Sequence, residues 1–270
     1  MFDTCGSSRS TNRPIKAVFL DFDGTLFSHS SISIPASAIK AITLLKEKGI
    51  RVFLCTGRAP AEMGQFDLNG LLTDAWILCN GQIILDENGK IIYEKQISGE
   101  LKDLLISLFN EKKTAMYLIN RTSIYLNMVN DKVRSVQSIV SSGIPPVREY
   151  EGEEIYMASA FFANEEDKKI LEKLEGIGEA TWWGDECVDI IPSGVSKTIG
   201  IDEILKRYGI DIEETLAVGD GENDTTMLEH CAIGIAMGNS YEELKKHADY
   251  VTDDIDEDGL YNALKHYRLI

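Results

Sequence analysis

Apolar runs of four to six residues, separated by stretches with helical spacing, constrain this chain more than any other feature. Ile15–Leu20, Ile50–Cys55, Ala75–Cys79, Leu216–Gly219 and Ala232–Ala236 are each almost wholly apolar. Such runs mark strands buried on both faces, because a half-buried strand would alternate with polar residues. Between the first two runs, Pro35–Lys48 carries Ala38, Ile39, Ile42 and Leu45 at helical spacing, with Pro35 near the start and Gly49 as the stop. Strand, helix and strand in this rhythm predict a parallel sheet with right-handed crossovers.

The rhythm changes in the middle of the chain. Gln82–Leu85 and Lys90–Glu94 flank Asp86-Glu-Asn-Gly89, a hairpin signal. Residues 98–112, 131–141 and 165–174 read as helices, and 115–119, 124–128 and 155–162 as strands. The parallel rhythm is expected to resume at Val188–Ile191. Helices follow at Ser196–Tyr208, Asn223–His230 and Tyr241–His247, with a last strand at Tyr250–Thr252. The expected fold class is α/β: a Rossmann-like parallel-sheet core from residues 14–85 and 186–270, with an inserted α+β cap domain at 86–185. Residues 1–13, rich in Ser, Thr, Asn and Arg, read as a disordered lead-in without the apolar region of a secretory signal.

Charge and cysteine usage exclude several classes. The chain has 270 residues, with 44 acids against 27 Lys plus Arg, a formal charge of −17. That field repels nucleic acid phosphates and anionic lipid, so neither is an expected partner. The five cysteines, Cys5, Cys55, Cys79, Cys187 and Cys231, show no paired spacing and read as free thiols of a reducing compartment. No apolar run approaches the roughly 18 residues of a membrane span. The expected location is cytoplasmic.

In an open parallel sheet, ligands bind beyond the carboxyl ends of the strands. Asp21-Phe-Asp23-Gly24-Thr25 follows the first strand and Thr56-Gly57-Arg58 the second. Lys197 opens a later helix, and Gly219-Asp220-Gly221-Glu222-Asn223-Asp224 follows the next strand. These segments would converge, bringing carboxylates, one lysine, hydroxyls and unhindered backbone N–H groups together. That inventory suits a phosphate and a hard divalent cation, since Mg²⁺ takes oxygen ligands from a few carboxylates, waters and substrate phosphate. Asp21 and Asp220 supply carboxylates and Asp23 its backbone carbonyl, while Thr56, Gly57 and Lys197 suit phosphoryl oxygens. An Asp carboxylate accepts a phosphoryl group to give an aspartyl-phosphate, and a second Asp nearby protonates the leaving alkoxide and then deprotonates water. Asp21 and Asp23 fit these two roles. A cation at a helix N-terminus is at the unfavourable end of the dipole, so Lys197 calls for an anion beside it.

In order and composition these motifs closely resemble those of the haloacid dehalogenase-like superfamily of aspartate-nucleophile phosphatases. The insert between the second and third motifs resembles the Cof-type subfamily with its large α+β cap. Asn80-Gly81 and Ala236-Met-Gly238-Asn239 extend the resemblance over about residues 15–270. It implies Asp21 as nucleophile and metal ligand, Asp23 as acid/base and carbonyl ligand, and Asp220 as the third ligand of a Mg²⁺ cofactor. Thr56, Gly57, Lys197 and Asn223 would bind phosphate, with Asp224 orienting its neighbours. The implied partner is a small phosphorylated metabolite: a hexose phosphate foremost, then flavin mononucleotide or pyridoxal phosphate.

Arg58 reads equally as a substrate contact or a surface pair, and Asn80 as a residue that orients the phosphate-binding groups or as a turn residue before Gly81. The pair Trp182-Trp183 reads as core or hinge packing rather than a sugar platform, since neighbours in a strand face opposite sides and at most one can point to a cleft. His29, His230, His247 and His266 read as surface residues. Two other readings stay open. A phosphotransferase or phosphomutase would use the same aspartyl-phosphate chemistry, and a phosphate-sensing module would use the acceptor Asp alone, though it needs neither Asp23 nor the insert.

Overall fold

A computed structural model describes residues 13–68, 70–139, 143–184 and 186–270. In chain order the first elements are β1 (Ala17–Leu20), α1 (Ala36–Glu47), β2 (Arg51–Cys55), α2 (Pro60–Met63), β3 (Ala75–Leu78), β4 (Ile83–Asp86) and β5 (Ile91–Glu94). Then come α3 (Gly99–Glu111), β6 (Ala115–Ile119), β7 (Ile124–Leu126), α4 (Asp131–Ile139), β8 (Met157–Phe161), β9 (Gly178–Gly184) and β10 (Cys187–Pro192). The last are α5 (Lys197–Tyr208), β11 (Thr215–Gly219), α6 (Thr225–His230), β12 (Ile233–Ala236), α7 (Glu242–Lys245), β13 (Tyr250–Val251) and α8 (Gly259–His266). They form two compact units. One holds the chain up to Gly57, Phe66–Glu94 and Ser196–Ile270, and the other Arg58–Gln65 and Lys95–Val195.

The first unit is built on an eight-stranded sheet in the order β13-β12-β11-β1-β2-β3-β4-β5. It is parallel from β13 to β3, with β4 and β5 added antiparallel at the edge. All of β1 is buried, as its unbroken apolar run requires. Phe19 pairs in register with Phe53 of β2, their rings stacked at 5.1 Å between centroids. Each such buried ring contributes roughly 1.5–3 kcal/mol. Helix α1 buries Ala38, Ala41, Ile42 and Leu45, the face its spacing predicts. From β1 the chain proceeds outward through β2 and β3, whereas β11, β12 and β13 run outward on the other side. The strand order therefore reverses between β1 and β11, the place beyond the strand ends where open α/β sheets bind ligands.

The second unit carries a five-stranded antiparallel sheet, β7-β6-β8-β10-β9. Leu101, Leu105, Leu108 and Phe109 of α3 form one stripe and pack with Met116, Leu118, Ala158, Ala160, Val188 and Ile190 of the sheet. Trp182 is partly buried and packs against this core, its ring tilted against Phe162 at 5.8 Å.

Several sequence expectations shift. The cap was expected to span 86–185, yet Cys187–Pro192 pairs antiparallel with β8 and β9, so the second unit runs on to Val195. A central strand buried on both faces looks the same whether its partners are parallel or antiparallel, and the apolar run alone carries no direction. At the other boundary β5 hydrogen-bonds to β4 and stays in the core sheet, because the hairpin turn holds it there. The segment 165–174 forms a 3₁₀ helix over Asp167–Leu174 instead of an α-helix. Among the described residues between β2 and β3 only the single turn α2 is helical. The expected lead-in lies outside the described residues apart from Arg13, which donates to Asp211 at 2.7 Å. Among the described residues no helix is long and apolar enough to cross a membrane, and Cys55, Cys79, Cys187 and Cys231 are buried free thiols.

Candidate active site

The ends of β1 and β11 deliver Asp21 and Asp220 to the switch point. Asp21 continues the strand, its N–H donating to Val218 O at 3.0 Å. Asp21, Asp220 and Asp224 each place a carboxylate oxygen within 4.8 Å of the others. Between them the fully buried Lys197, first residue of α5, donates from Nζ to Asp21 Oδ1 at 2.5 Å and to Asp224 Oδ1 at 2.6 Å. These carboxylates are the anions that its place at a helix N-terminus called for.

Asp224 is spent on local structure. Its Oδ2 accepts from the backbone N–H groups of Asp220 (3.0 Å) and Gly221 (2.9 Å), which folds the loop after β11 into a tight turn. A side chain at Gly219 would overlap Asp224, and one at Gly24 would overlap the Asp220 carboxylate, so both glycines let backbone lie against the cluster. Thr25 donates from Oγ1 to Asp220 Oδ1 at 2.8 Å.

Three carboxylates share one ammonium. Burial and then the charge of Asp224 hold Asp21 well above the usual carboxylate range, against the pull of Lys197. Burial and Asp224 push Asp220 up to about 7, partly offset by the Thr25 hydrogen bond. Burial alone would lower Lys197, but the charges of Asp21 and Asp224 outweigh it and raise it above its ordinary value. A divalent cation fits this set of donors: hard oxygens in a buried cluster with more negative than positive charge. Asp21 and Asp220 are the side chains best placed to hold it, since both oxygens of Asp224 are engaged.

The phosphate-binding candidates lie around the same loops. Thr56 follows β2, buried, its N–H donating to Ile77 O at 2.9 Å and its carbonyl accepting from Asn80 N–H at 3.1 Å. Asn80 adopts a left-handed conformation, φ 52°, and accepts at Oδ1 from Asn223 Nδ2 at 3.1 Å. A Cβ at Gly57 would sit 3.2 Å from Asn80 Oδ1 and 3.5 Å from Asn223 Nδ2, so Gly57, Asn80 and Asn223 are neighbours. Arg58 begins the second unit, its guanidinium 3.7 Å from Glu62 Oε1.

Three residues without a role in the sequence pattern also stand at this site. Thr25 holds Asp220. Asn239 donates to Gly24 O at 2.8 Å. His29, read as a surface residue, places Nε2 3.0 Å from Asp23 Oδ1. Thr25 and Asn239 stand inside the strand-end motifs, which signal them, whereas nothing in the spacing of His29 signals its partner.

The sequence profile of haloacid dehalogenase-like hydrolases matches residues 18–264. The chain is 33% identical over 259 residues to YkrA of Bacillus subtilis (strain 168), covering 94% of this chain and 98% of that one. It is 30% identical over 279 residues to 5-amino-6-(5-phospho-D-ribitylamino)uracil phosphatase YwtE of the same organism, covering 91% and 96%. Among solved structures, the sugar phosphatase BT4131 superposes with a TM-score of 0.83 at 34% identity, over 94% of this chain and 100% of that one. BT1666 from Bacteroides thetaiotaomicron, a phosphatase of the same superfamily, superposes at 0.86 with 31% identity, over 95% and 96%. With the motifs in order along the chain and the carboxylates gathered at the switch point, this chain belongs to the haloacid dehalogenase-like hydrolases, as a phosphatase of the Cof type.

Proposed function

We propose that the chain is a Mg²⁺-dependent phosphatase that hydrolyses small phosphomonoesters, sugar phosphates foremost, through an aspartyl-phosphate on Asp21. The observation that carries this reading is the buried cluster of Asp21, Asp220 and Asp224 around Lys197 at the strand-order reversal. The relatives support the substrate class: BT4131 is a sugar phosphatase, and YwtE acts on a phosphorylated ribityl chain.

In this reading Asp21, Asp220 and the Asp23 carbonyl would hold the cation. Bound there, it supplies Lewis-acid charge neutralisation between an anionic nucleophile and an anionic substrate. Lys197, Thr56, the Gly57 N–H and Asn223 hold phosphoryl oxygens and fix the phosphorus in line with Asp21. One Asp21 oxygen forms a bond to phosphorus as the phosphorus–ester oxygen bond breaks, and the departing alkoxide takes a proton from the Asp23 carboxyl. Water then attacks phosphorus and returns its proton to Asp23. The Asp21–phosphorus bond breaks, releasing inorganic phosphate and restoring both carboxyl groups. Positioning and charge carry most of such a reaction, because the phosphoryl group in flight needs little covalent help.

The test is phosphate release from a panel of sugar, nucleotide and cofactor phosphates by the purified protein. Release should require Mg²⁺, be abolished in Asp21→Asn and fall about 10²–10⁴-fold in Asp23→Asn. Full turnover by Asp21→Asn would sink the nucleophile assignment, and activity confined to phosphoryl transfer onto a second sugar would replace hydrolysis by a transferase.

A further inference from the structure

The segment after Asp23 is built around that residue. Gly24 N–H donates to Phe27 O at 2.9 Å, which closes a turn, and Asp23 pairs with Phe27 across it. The next residues fold back on themselves, with Ser28 N–H donating to Ser33 O at 2.9 Å and Ser33 N–H to Ser28 O at 3.3 Å. At the base of this hairpin His29 directs Nε2 to within 3.0 Å of Asp23 Oδ1.

The imidazole is held from two directions. Its ring stands edge-on to Phe27 at 5.4 Å, and Phe27 is itself wedged between Phe22 at 5.5 Å and Phe66 at 4.8 Å. The residues on either side of His29 are clamped by a single carboxylate. Ser28 Oγ donates to Asp256 Oδ1 at 2.6 Å, and Ser30 Oγ donates to Asp256 Oδ2 at 2.5 Å. Asp256 sits in the 3₁₀ turn Ile255–Glu257. That turn is tied back to the loop after Asp23 through Asn239, which accepts from Ile255 N–H at 3.0 Å and donates to Gly24 O at 2.8 Å. Asp256, Ser28, Ser30, Asn239 and Gly24 thus form a closed frame with His29 mounted inside it.

A surface pair would not need such a frame. The His29 and Asp23 side chains are 44% and 31% exposed. A pair this open contributes little to stability, because solvent screens it. Its consequence is geometric: a proton donor must meet the ester oxygen at hydrogen-bond distance, and a misplacement of about 1 Å costs up to 10²-fold in rate.

We propose that His29 is a positioning residue for the reaction, its imidazole N–H fixing the rotamer from which the Asp23 carboxyl delivers its proton to the leaving group. The inference rests on the reading of Asp23 as acid/base given above. The Ser28–Asp256–Ser30 clamp is the second layer of the same device.

The test compares wild type, His29→Ala, His29→Gln, Asp256→Ala and Asp23→Asn with Mg²⁺ present. The substrates are the best alkyl phosphate of the panel and p-nitrophenyl phosphate, and the melting temperature of each variant is measured alongside. His29→Ala should lower kcat on the alkyl phosphate about ten- to hundredfold with KM and Tm little changed. Formation of the phosphoenzyme from p-nitrophenyl phosphate should be far less affected, since that leaving group needs no proton. His29→Gln, which restores an N–H donor, should recover part of the loss, and Asp256→Ala should fall between wild type and His29→Ala. Asp23→Asn with wild-type turnover would overturn the acid/base reading itself. Asp23→Asn impaired beside His29→Ala at wild-type kcat would overturn this inference alone. A rise in KM at constant kcat, or a loss that tracks Tm and is not relieved by Gln, would equally overturn it.

Discussion

Lys197 shows how one side chain can be both structural and chemical. It is fully buried and paired with two carboxylates, and removing its charge leaves Asp21 and Asp224 without their shared cation. Lys197→Met should therefore destabilise the protein by about 3–5 kcal/mol, read as a lower denaturation midpoint, besides abolishing turnover. A midpoint within error of wild type would mean that the cluster is balanced by something other than this ammonium. At this scale the sequence was informative. Asp21, Asp220, Asp224, Lys197, Asn80 and Asn223 were all singled out from motif and strand-end position, and all are found around the β1 and β11 ends. His29 was not, because its partner is set by a hairpin whose fold depends on Asp256, more than two hundred residues away in the chain. Nor did the sequence foretell that Lys197 would contact Asp21 directly, since a helix-opening lysine carries no mark of its partner.

At the scale of elements, the second unit depends on a buried amide. Asn127 follows β7 and donates from Nδ2 to Phe109 O and Thr114 O, both at 3.0 Å, while its Oδ1 accepts from Met116 N–H at 2.9 Å. It thereby ties the end of α3 to β6. Each buried group left unpaired costs about 1–3 kcal/mol. Asn127→Ala should accordingly destabilise this unit by about 3 kcal/mol in a denaturant titration, and a loss below 0.5 kcal/mol would show that the three backbone groups find other partners. Nothing in the surrounding sequence distinguishes Asn127 from a turn residue, for its role is defined by three backbone groups brought in from elsewhere. The strands themselves were legible wherever apolar runs were long and bounded. Their partners were less so: the run in β10 reads as a strand of the parallel core sheet and lies antiparallel between β8 and β9. The 3₁₀ helix at Asp167–Leu174 carries the polar-apolar spacing of a helix, and spacing does not separate the two kinds of turn.

For the whole molecule, the charge of −17 gains a meaning it lacked as a total. Part of it is concentrated in a buried cluster that one lysine does not balance. Asp220 is held at about 7 in the metal-free protein, against 3.8 for its ordinary value. The folded state therefore keeps a proton that the unfolded chain has already lost. The resulting stability is fully present below about pH 4 and is lost as pH rises through about 7. A cation binds the ionised carboxylates, so Mg²⁺ should raise Tm little near pH 5 and more near pH 8, with protons released on binding. Melting curves in EDTA and in Mg²⁺, for wild type and Asp220→Asn, measure this. A Mg²⁺ shift equal at both pH values, or retained in Asp220→Asn, would count against a metal site at the cluster.

The sequence by itself determined the fold class, the family and the chemical inventory. Unbroken apolar runs, helical spacing and Asp- and Gly-rich strand ends are local signals, each readable without knowing what packs against it. Only the tertiary structure decided which sheet owns β5 and β10, which partner Lys197 takes, and that His29 reaches Asp23. Those outcomes depend on hydrogen bonds and charge pairs between residues distant in the chain, and such contacts leave no trace in the local pattern of either partner.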